Sequence, residues 1–481
     1  MSSGSRILSL CGSIAILLVA VLGYVFAKAA YSPTSLFVAV MGMLFLVAIF
    51  IFYKDDCPWL KGQPLKCSTV FLIGYIITHF QVYIDVLLEN IHPDDPFFMV
   101  DSSLIVKGAF LSLIGLGAFF CGYYVSKGKV IKCKKSPKVV SLGGLLTFTA
   151  IMFFVWIGVV GLNRVVYGGY AIEDEQNILL PYVSLIFSMT LWGYIFFHAR
   201  NFKVRQQRPS LTFYVTSLGW FNIILFAYLT ISFAVGGRSI SMATACIYFL
   251  GYVYSSQVRL SKLKIFIAIL GASVFLRFIG EIRTSETGVS IQERIVQVFN
   301  SENELPSFSP NTLELAGSIR CLHLALDYVP KYHSFLLGRF QLGYIMSVIP
   351  SGSRWSMLLG IMPSEFRYIG SASFVTWVRQ GDNPNSGDGT TCVADIYLDF
   401  GVVGCIFAFF IWGFWIRRFD VNLYSPFFSP SLLYSFVFVY FGKAIFVSRS
   451  SILFELKSVV YLFAVIFVYE LLCSKKSISS N

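Results

Sequence analysis

Between Ile282 and Thr391 a polar stretch carries Arg283, Arg294, Arg320, Arg339, Arg354, Arg367 and Arg379, and it runs into a peptide holding Asp395 and Asp399. A guanidinium is a planar fork that bonds two oxygens of one phosphate, so arginines gathered on turns suit a phosphorylated ligand. Arg354 lies in Pro350-Ser351-Gly352-Ser353-Arg354-Trp355 and Arg367 in Pro363-Ser364-Glu365-Phe366-Arg367, each beside an aromatic. Aromatic neighbours suit sugar rings or lipid headgroups; cation–π packing at a membrane interface is the plainer account of some of these pairs. Two further arginines sit in short connections, Gly236-Gly237-Arg238 and Ser448-Arg449-Ser450. Proton transfer has two candidates. Arg320, His323 and Asp327 share one helical stripe, and a histidine beside an acid can act as a general base; a polar face on an interfacial helix is the alternative. Asp395 and Asp399 share one face of the following helix. An acid just inside a dry boundary can be tuned to serve as a base; an ion pair with one of the arginines is the alternative.

These groups need a scaffold. The chain has 481 residues, 56% hydrophobic, 17% aromatic and 13% charged, with mean hydropathy +0.72. Soluble domains carry about 25% charged residues, so the expectation is an all-α polytopic membrane protein. A net charge of +12 would suggest nucleic acid in a soluble protein; here a positive-inside bias accounts for it and no nucleic-acid partner is expected. Ten cysteines without a CxxC pair give no zinc or redox motif, and no metal or cofactor is expected. Arg6 and an apolar run ending at Ala27-Lys28-Ala29 have the outline of a signal peptide, but the run is too long for one and reads as an uncleaved first span.

A span needs about 20 apolar residues, and lipid forces such segments to be helical. About twelve are expected, near 7–27, 33–53, 69–89, 104–124, 139–161, 179–199, 214–235, 239–256, 262–281, 393–416, 430–447 and 451–473. Alternate connections concentrate Lys and Arg, for instance Lys127 to Lys138, so both termini are expected in the cytoplasm. That places one large loop, 282–391, on the outer (periplasmic) side, between a bundle over 1–281 and a second over 392–481. Asp85, Glu89, Lys107, Arg277, Glu281, Asp395, Asp399, Lys443, Glu455 and Lys457 fall toward the outer ends of their spans. Such residues face a wet or protein-lined interior, so a polar chamber open to the outside is expected; pairing at the interface, for instance of Asp85 or Glu89 with Lys107, is the alternative.

Within the loop, Ser290-Ile291-Gln292-Glu293 reads as a capping box opening a short amphipathic helix. A second helix is expected over 311–328. Ser334 to Pro350 is apolar but too short to span, and a re-entrant segment is one reading. Thr390 or Thr391 caps the next helix, in which Gly401 and Gly404 allow another helix to approach closely. Cys321 and Cys392 are the cysteines placed outside; their pairing is left open.

Three stretches resemble the Wzy-type oligosaccharide repeat-unit polymerases. They are Gly236-Gly237-Arg238 opening a span, Tyr332-His333-Ser334-Phe335-Leu336-Leu337-Gly338 running to Val348-Ile349-Pro350, and Gly387-x-Gly389 followed by Val393-Ala394-Asp395-Ile396-Tyr397-Leu398-Asp399-Phe400-Gly401. The layout of many spans and one late outer loop fits as well. Where family members often carry glutamate this chain has Asp395, which keeps the acid and shortens its reach. The resemblance implies a metal-independent glycosyltransferase at the periplasmic face of the bacterial inner membrane. It would pass a growing glycan from polyprenyl diphosphate to the sugar of a new lipid-linked repeat unit, making O-antigen or a capsule-type polysaccharide. A chain-length regulator and a flippase are the implied protein partners, beside membrane lipids. In that chemistry Arg238, Arg354 and Arg449, then Arg320 and Arg367, are expected at the diphosphate, with Asp395 or His323 as base. The rivals are an O-antigen ligase moving glycan onto a lipid core, a lipid-linked oligosaccharide transporter, and a non-catalytic scaffold. The crowding of charge at the outer half and the lack of internal repeats argue against the transporter.

Overall fold

The computed structural model describes residues 2–27, 30–133, 137–161, 179–234, 237–261, 263–265, 267, 271, 274, 307–361 and 363–478. For a few helical positions, Arg238 among them, only the backbone is described. The expected capping box and amphipathic helix near 290–299, and most of the expected span 262–281, lie outside these residues. Every regular element among the described residues is helical. In order they are α1 (Ser2–Val25), α2 (Pro33–Phe52), α3 (Cys67–Leu87), α4 (Ser103–Val125), α5 (Gly143–Val160), α6 (Leu180–Val204), α7 (Leu211–Ser217), α8 (Trp220–Ala234) and α9 (Arg238–Ser256). There follow α10 (Leu313–Ala316), α11 (Ile319–Tyr328), α12 (Arg339–Met346), α13 (Gly352–Leu358), α14 (Ser371–Gln380), α15 (Cys392–Tyr424), α16 (Ser431–Val447) and α17 (Leu456–Ile478).

This is the expected multi-pass, all-α architecture. Among the described residues eight helices are long and apolar enough to cross a membrane: α1 to α6, α15 and α17. The pair α7 and α8, bent by 93°, makes a ninth if counted as one span. Helix boundaries follow local chemistry. Ser32 caps α2 by accepting from the Ser35 amide, and Pro33 occupies the first turn, where its missing N–H costs nothing.

The chain divides into two compact units that interleave in sequence: Met1–Val130, Glu304–Asn422 and Ala444–Lys457 form one, and Ile131–Asn303, Leu423–Lys443 and Ser458–Asn481 the other. In the first, α4 is buried along almost its whole length and packs against α1, α2 and α3. It meets α15 backbone to backbone. A Cβ on Gly122 would lie 1.9 Å from the Phe410 carbonyl oxygen, and one on Gly413 would lie 1.9 Å from that of Phe119. Small residues on both helices permit this contact, as expected where association rests on close packing rather than on expulsion of water. The sequence had pointed to Gly401 and Gly404 for such an approach. Gly401 instead breaks α15, with φ +65° and ψ −160°, a backbone conformation open to glycine at little cost.

A buried polar network ties one end of this unit together. Arg417 of α15 donates from both terminal nitrogens to the two oxygens of Asp55, at 2.6 and 2.7 Å, and Lys66 approaches Asp55 at 3.4 Å. Burial alone would raise the Asp55 carboxyl; hydrogen bonds from Arg417, its charge and Lys66 bring it below the usual carboxylate range. One helical turn on, Asp420 accepts from the Ser68 hydroxyl at 2.6 Å and from the Tyr123 hydroxyl at 3.2 Å. The connection after α2, the start of α3, the end of α4 and the end of α15 are thereby joined.

In the second unit α6 lies against α5 and α9. Arg200 pairs with Glu470 of α17 and stacks over Phe197, 4.7 Å from the ring centre. Trp192 donates to Thr244 of α9 at 3.0 Å.

Candidate active site

The break at Gly401 organises the site. Where the helix bends, the carbonyls of Leu398 and Asp399 lose the amides that a continuous helix would supply. They accept instead from Leu336 at 3.0 Å and Leu337 at 2.9 Å. The chain then turns at Gly338, φ +88°, into α12. That helix has no side-chain cap of its own. The Asp399 carboxylate serves, accepting from the Phe340 amide at 3.3 Å and the Gln341 amide at 3.1 Å. A negative group at a helix N-terminus satisfies unpaired amides and complements the helix dipole. The other end of the peptide agrees with its sequence: Thr391 caps α15 by accepting from the Ala394 amide at 3.1 Å.

Asp395, on the same face one turn earlier, is fully buried. One oxygen accepts from Gln341 Nε2 at 2.7 Å; the other accepts from the Tyr344 hydroxyl at 2.9 Å and the Ser371 hydroxyl at 2.5 Å. Among the described residues no cation pairs with it, so the arginine partner considered from sequence is absent there. Burial, and then the Asp395 charge, push the Tyr344 phenol well above its ordinary range, so it remains a donor. Asp395 therefore fastens α12 and α14 to the first segment of α15. Gln341, Tyr344 and Ser371 were not singled out from sequence; no spacing links them to Asp395, since α12 brings the first two and α14 the third from more than twenty positions away.

The arginines fall into distinct places. Arg320 of α11, Arg379 of α14 and Arg449 of the turn after α16 all lie within electrostatic reach of the Cys321 thiol. Burial pushes that thiol up to about 12; Asp388 adds to the rise and the three guanidiniums oppose it. Cys321 itself bonds the Asp388 carbonyl, at 3.4 Å. Arg379 donates to the Asp388 carboxylate at 2.7 Å. Arg449 faces Glu314 at a looser 3.7 Å, with both side chains partly exposed. Arg320 donates to the Gly317 carbonyl at 2.9 Å and covers the Phe97 ring at 5.0 Å. The turn bearing Arg449 is held against the start of α15, where the Cys392 amide donates to the Ser448 carbonyl at 3.1 Å. Arg379 had been noted in sequence only as one of the loop's arginines. Its local signal is the turn-rich run to Asp388, which returns an acid to it.

Arg367 pairs with Glu365 and stacks on Tyr368 and Trp377, at 4.9 and 4.8 Å, while Arg339 covers Tyr368 at 4.9 Å. For Arg367 the cation–π account from sequence describes the contacts. Arg354 is exposed on α13. Arg238 opens α9, in the other compact unit; its side chain lies outside the described residues. Asp85 does not pair with Lys107. It accepts from the Ser307 hydroxyl and the Phe308 amide, both at 2.7 Å, and from Asn90 at 2.8 Å, and so anchors the returning loop. Cys321 and Cys392 are free thiols, both buried.

His323 is sealed between α11 and the spans. It is fully buried, its Nε2 lies 2.9 Å from the Tyr83 hydroxyl, and its Nδ1 has no hydrogen-bond partner. Phe98 flanks the ring. Burial lowers its pKa to about 3, which leaves a neutral imidazole of little basicity at neutral pH. The ring has a stability consequence. Between the ordinary value of 6.5 and the folded value of about 3 the unfolded chain binds the extra proton. The stability is therefore complete above pH 6.5 and is lost as pH falls. Acidifying from pH 7 to 5 removes about 2 kcal/mol through this group. Thermal unfolding in detergent should show a larger acid-induced drop for the wild type than for His323→Gln.

The family model for the O-antigen polysaccharide polymerase Wzy matches residues 13–478, nearly the whole chain. No curated protein and no solved structure matches it.

Proposed function

The chain belongs to the O-antigen polysaccharide polymerase Wzy family, and from that premise we propose that Arg320, Arg379 and Arg449 form the diphosphate site of a glycan polymerase. The observation that carries this reading is that Arg379 bonds Asp388, whose carbonyl accepts from Cys321, while Arg320 and Arg449, from two other segments, also lie within electrostatic reach of that thiol. The donor is a polyprenyl-diphosphate-linked glycan, and the site opens toward the periplasm. An acceptor hydroxyl oxygen attacks the anomeric carbon of the donor glycan. The bond from that carbon to the diphosphate oxygen breaks, and the diphosphate leaves with the electron pair. The hydroxyl proton passes to solvent or to the departing phosphate. Charge develops chiefly on the leaving group, so fixed cations aimed at it supply the stabilisation. The contacts of Arg449 suit exchange. A loose, partly exposed pair such as that with Glu314 is worth about 0–1 kcal/mol, and a diphosphate offers stronger, charge-assisted bonds.

Asp395 acts as a positioning residue. Its carboxylate is occupied by Gln341, Tyr344 and Ser371 and is closed to solvent, and His323 is equally enclosed. Arg354 and Arg367 lie at the approaches, the first reaching lipid-borne phosphate and the second stacked beside the glycan path.

A strain lacking the gene, complemented with Arg320→Gln/Arg379→Gln/Arg449→Gln, should produce lipid carrying single repeat units in place of a ladder, at undiminished protein level. A gel of surface polysaccharide reads this directly. Unattached long polymer in the same gel would mark a ligase instead, and a wild-type ladder would sink the site.

A further inference from the structure

We propose that the segment Leu337 to Ile361, carrying α12 and α13, is seated among the lipid chains of the bilayer, with Arg354 at headgroup level. The inference does not rest on the polymerase reading. Large apolar side chains dominate the exposed surface of this segment: Leu337 is 83% exposed, Leu358 76%, Leu359 70%, Ile349 54% and Ile361 51%. Soluble surfaces scatter such residues singly; a contiguous run of them marks an interaction surface. The segment contains Arg339 and Arg354 but no aspartate or glutamate.

Three observations name lipid as the occupant. The first is continuity. α15 is long and apolar enough to cross the membrane, and beyond its break at Gly401 the residues Val403, Phe407 and Ile411, spaced at four, are exposed along one face of it. That stripe faces lipid. Leu337 is attached at its end, its amide donating to Asp399 at 2.9 Å, and a Cβ on Gly338 would lie 2.9 Å from the Phe400 ring. The second is backbone satisfaction. Outside lipid, water would serve a turn's amides; within it they need internal partners. Through the turn and α13 the amides of Ser347, Val348, Ile349, Gly352, Trp355 and Leu359 all donate to carbonyls within the segment. The third is the boundary pair Arg354-Trp355, both exposed. Trp settles at the membrane–water interface, and a long basic side chain extends its charge to it. Asp399 and Asp395 hold the base of the segment to α15, so its apolar side is carried rigidly into the bilayer.

Photo-crosslinking in native membranes tests this. Chains carrying p-benzoylphenylalanine in place of Leu358 should acquire the mass of a phospholipid, as should chains labelled at Phe407, while a label at Tyr332, exposed beside Lys331, should not. A product of twice the chain mass from Leu358 would assign the surface to a second copy and overturn the proposal. So would failure of Leu358 to take lipid while Phe407 does. If the labelled chain does not fold, brominated lipids provide a second reading. Tryptophan quenching should be weaker in Trp355→Phe than in the wild type, and equal quenching overturns the proposal.

Discussion

Asp395→Ala should abolish polymer and sharply reduce folded protein. The substitution leaves Gln341, Tyr344 and Ser371 directed at a buried void. Each donor left without an acceptor costs about 1–3 kcal/mol, so the total is a large fraction of the roughly 5–15 kcal/mol that holds an ordinary domain folded. The loss spreads, because the same three bonds fix α12 and α14 to α15. Asp395→Asn separates positioning from proton transfer. Its carbonyl oxygen can accept from two donors. Its amide nitrogen can donate to a hydroxyl, or to Gln341 Oε1, which has no partner in the native arrangement. Polymerisation within about tenfold of wild type, with an unchanged pH profile, is expected, whereas a general base contributes about 10²–10⁴-fold. Polymerisation of purified lipid-linked repeat units across pH decides the matter. Normal protein level with activity lost over three decades, and with the acidic limb of the profile removed, would return Asp395 to the role of base.

Arg417→Ala should cost about 3–5 kcal/mol, the usual penalty for leaving one member of a buried pair alone. Asp55 would then keep the Cys57 amide at 3.0 Å and Lys66 at a weaker 3.4 Å, in place of two short bonds to a guanidinium. Four segments meet at this network, so the damage should appear as lost yield and early melting of the whole unit. Replacing both partners tests the cause. Arg417→Met with Asp55→Leu removes the charges together, and a buried pair replaced by apolar groups is often neutral or stabilising. Thermal melting of detergent-purified protein should therefore rank the double variant above the single one. The reverse order would mean that the pair itself, and not the orphaned carboxylate, carries the stability.

Much of this protein was legible in one dimension. Crossing lipid is a local demand: a segment must be apolar for about 20 residues and must satisfy its backbone within itself. Each such segment announces itself without reference to any other, which is why α1 to α6 lie close to their expected positions. Caps are local too, and Thr391 is found where the sequence placed one. The family signature around Asp395 was readable for the same reason, as a run of neighbours. Gly401 shows the limit. Its identity signals freedom of backbone, but whether that freedom serves close packing or a break depends on Leu336 and Leu337, some sixty positions earlier, supplying amides to the freed carbonyls.

Partnership between distant side chains was decided by the tertiary structure alone. Sequence could say that Asp395 was a costly group in an apolar setting, and that it needed a partner. An arginine was the natural candidate by charge; the fold gave it an amide and two hydroxyls, because α12 and the first residue of α14 close onto α15. Likewise the arginines of the polar stretch looked alike in sequence. Folding stacks Arg367 on aromatic rings, leaves Arg354 exposed, and brings Arg320, Arg379 and Arg449, which follows α15 in the chain, within electrostatic reach of Cys321. Hydropathy and helix propensity are summed over neighbours, so the chain states them residue by residue. Electrostatic and hydrogen-bond partnership falls off within a few ångströms in space, and only the folded backbone fixes those distances.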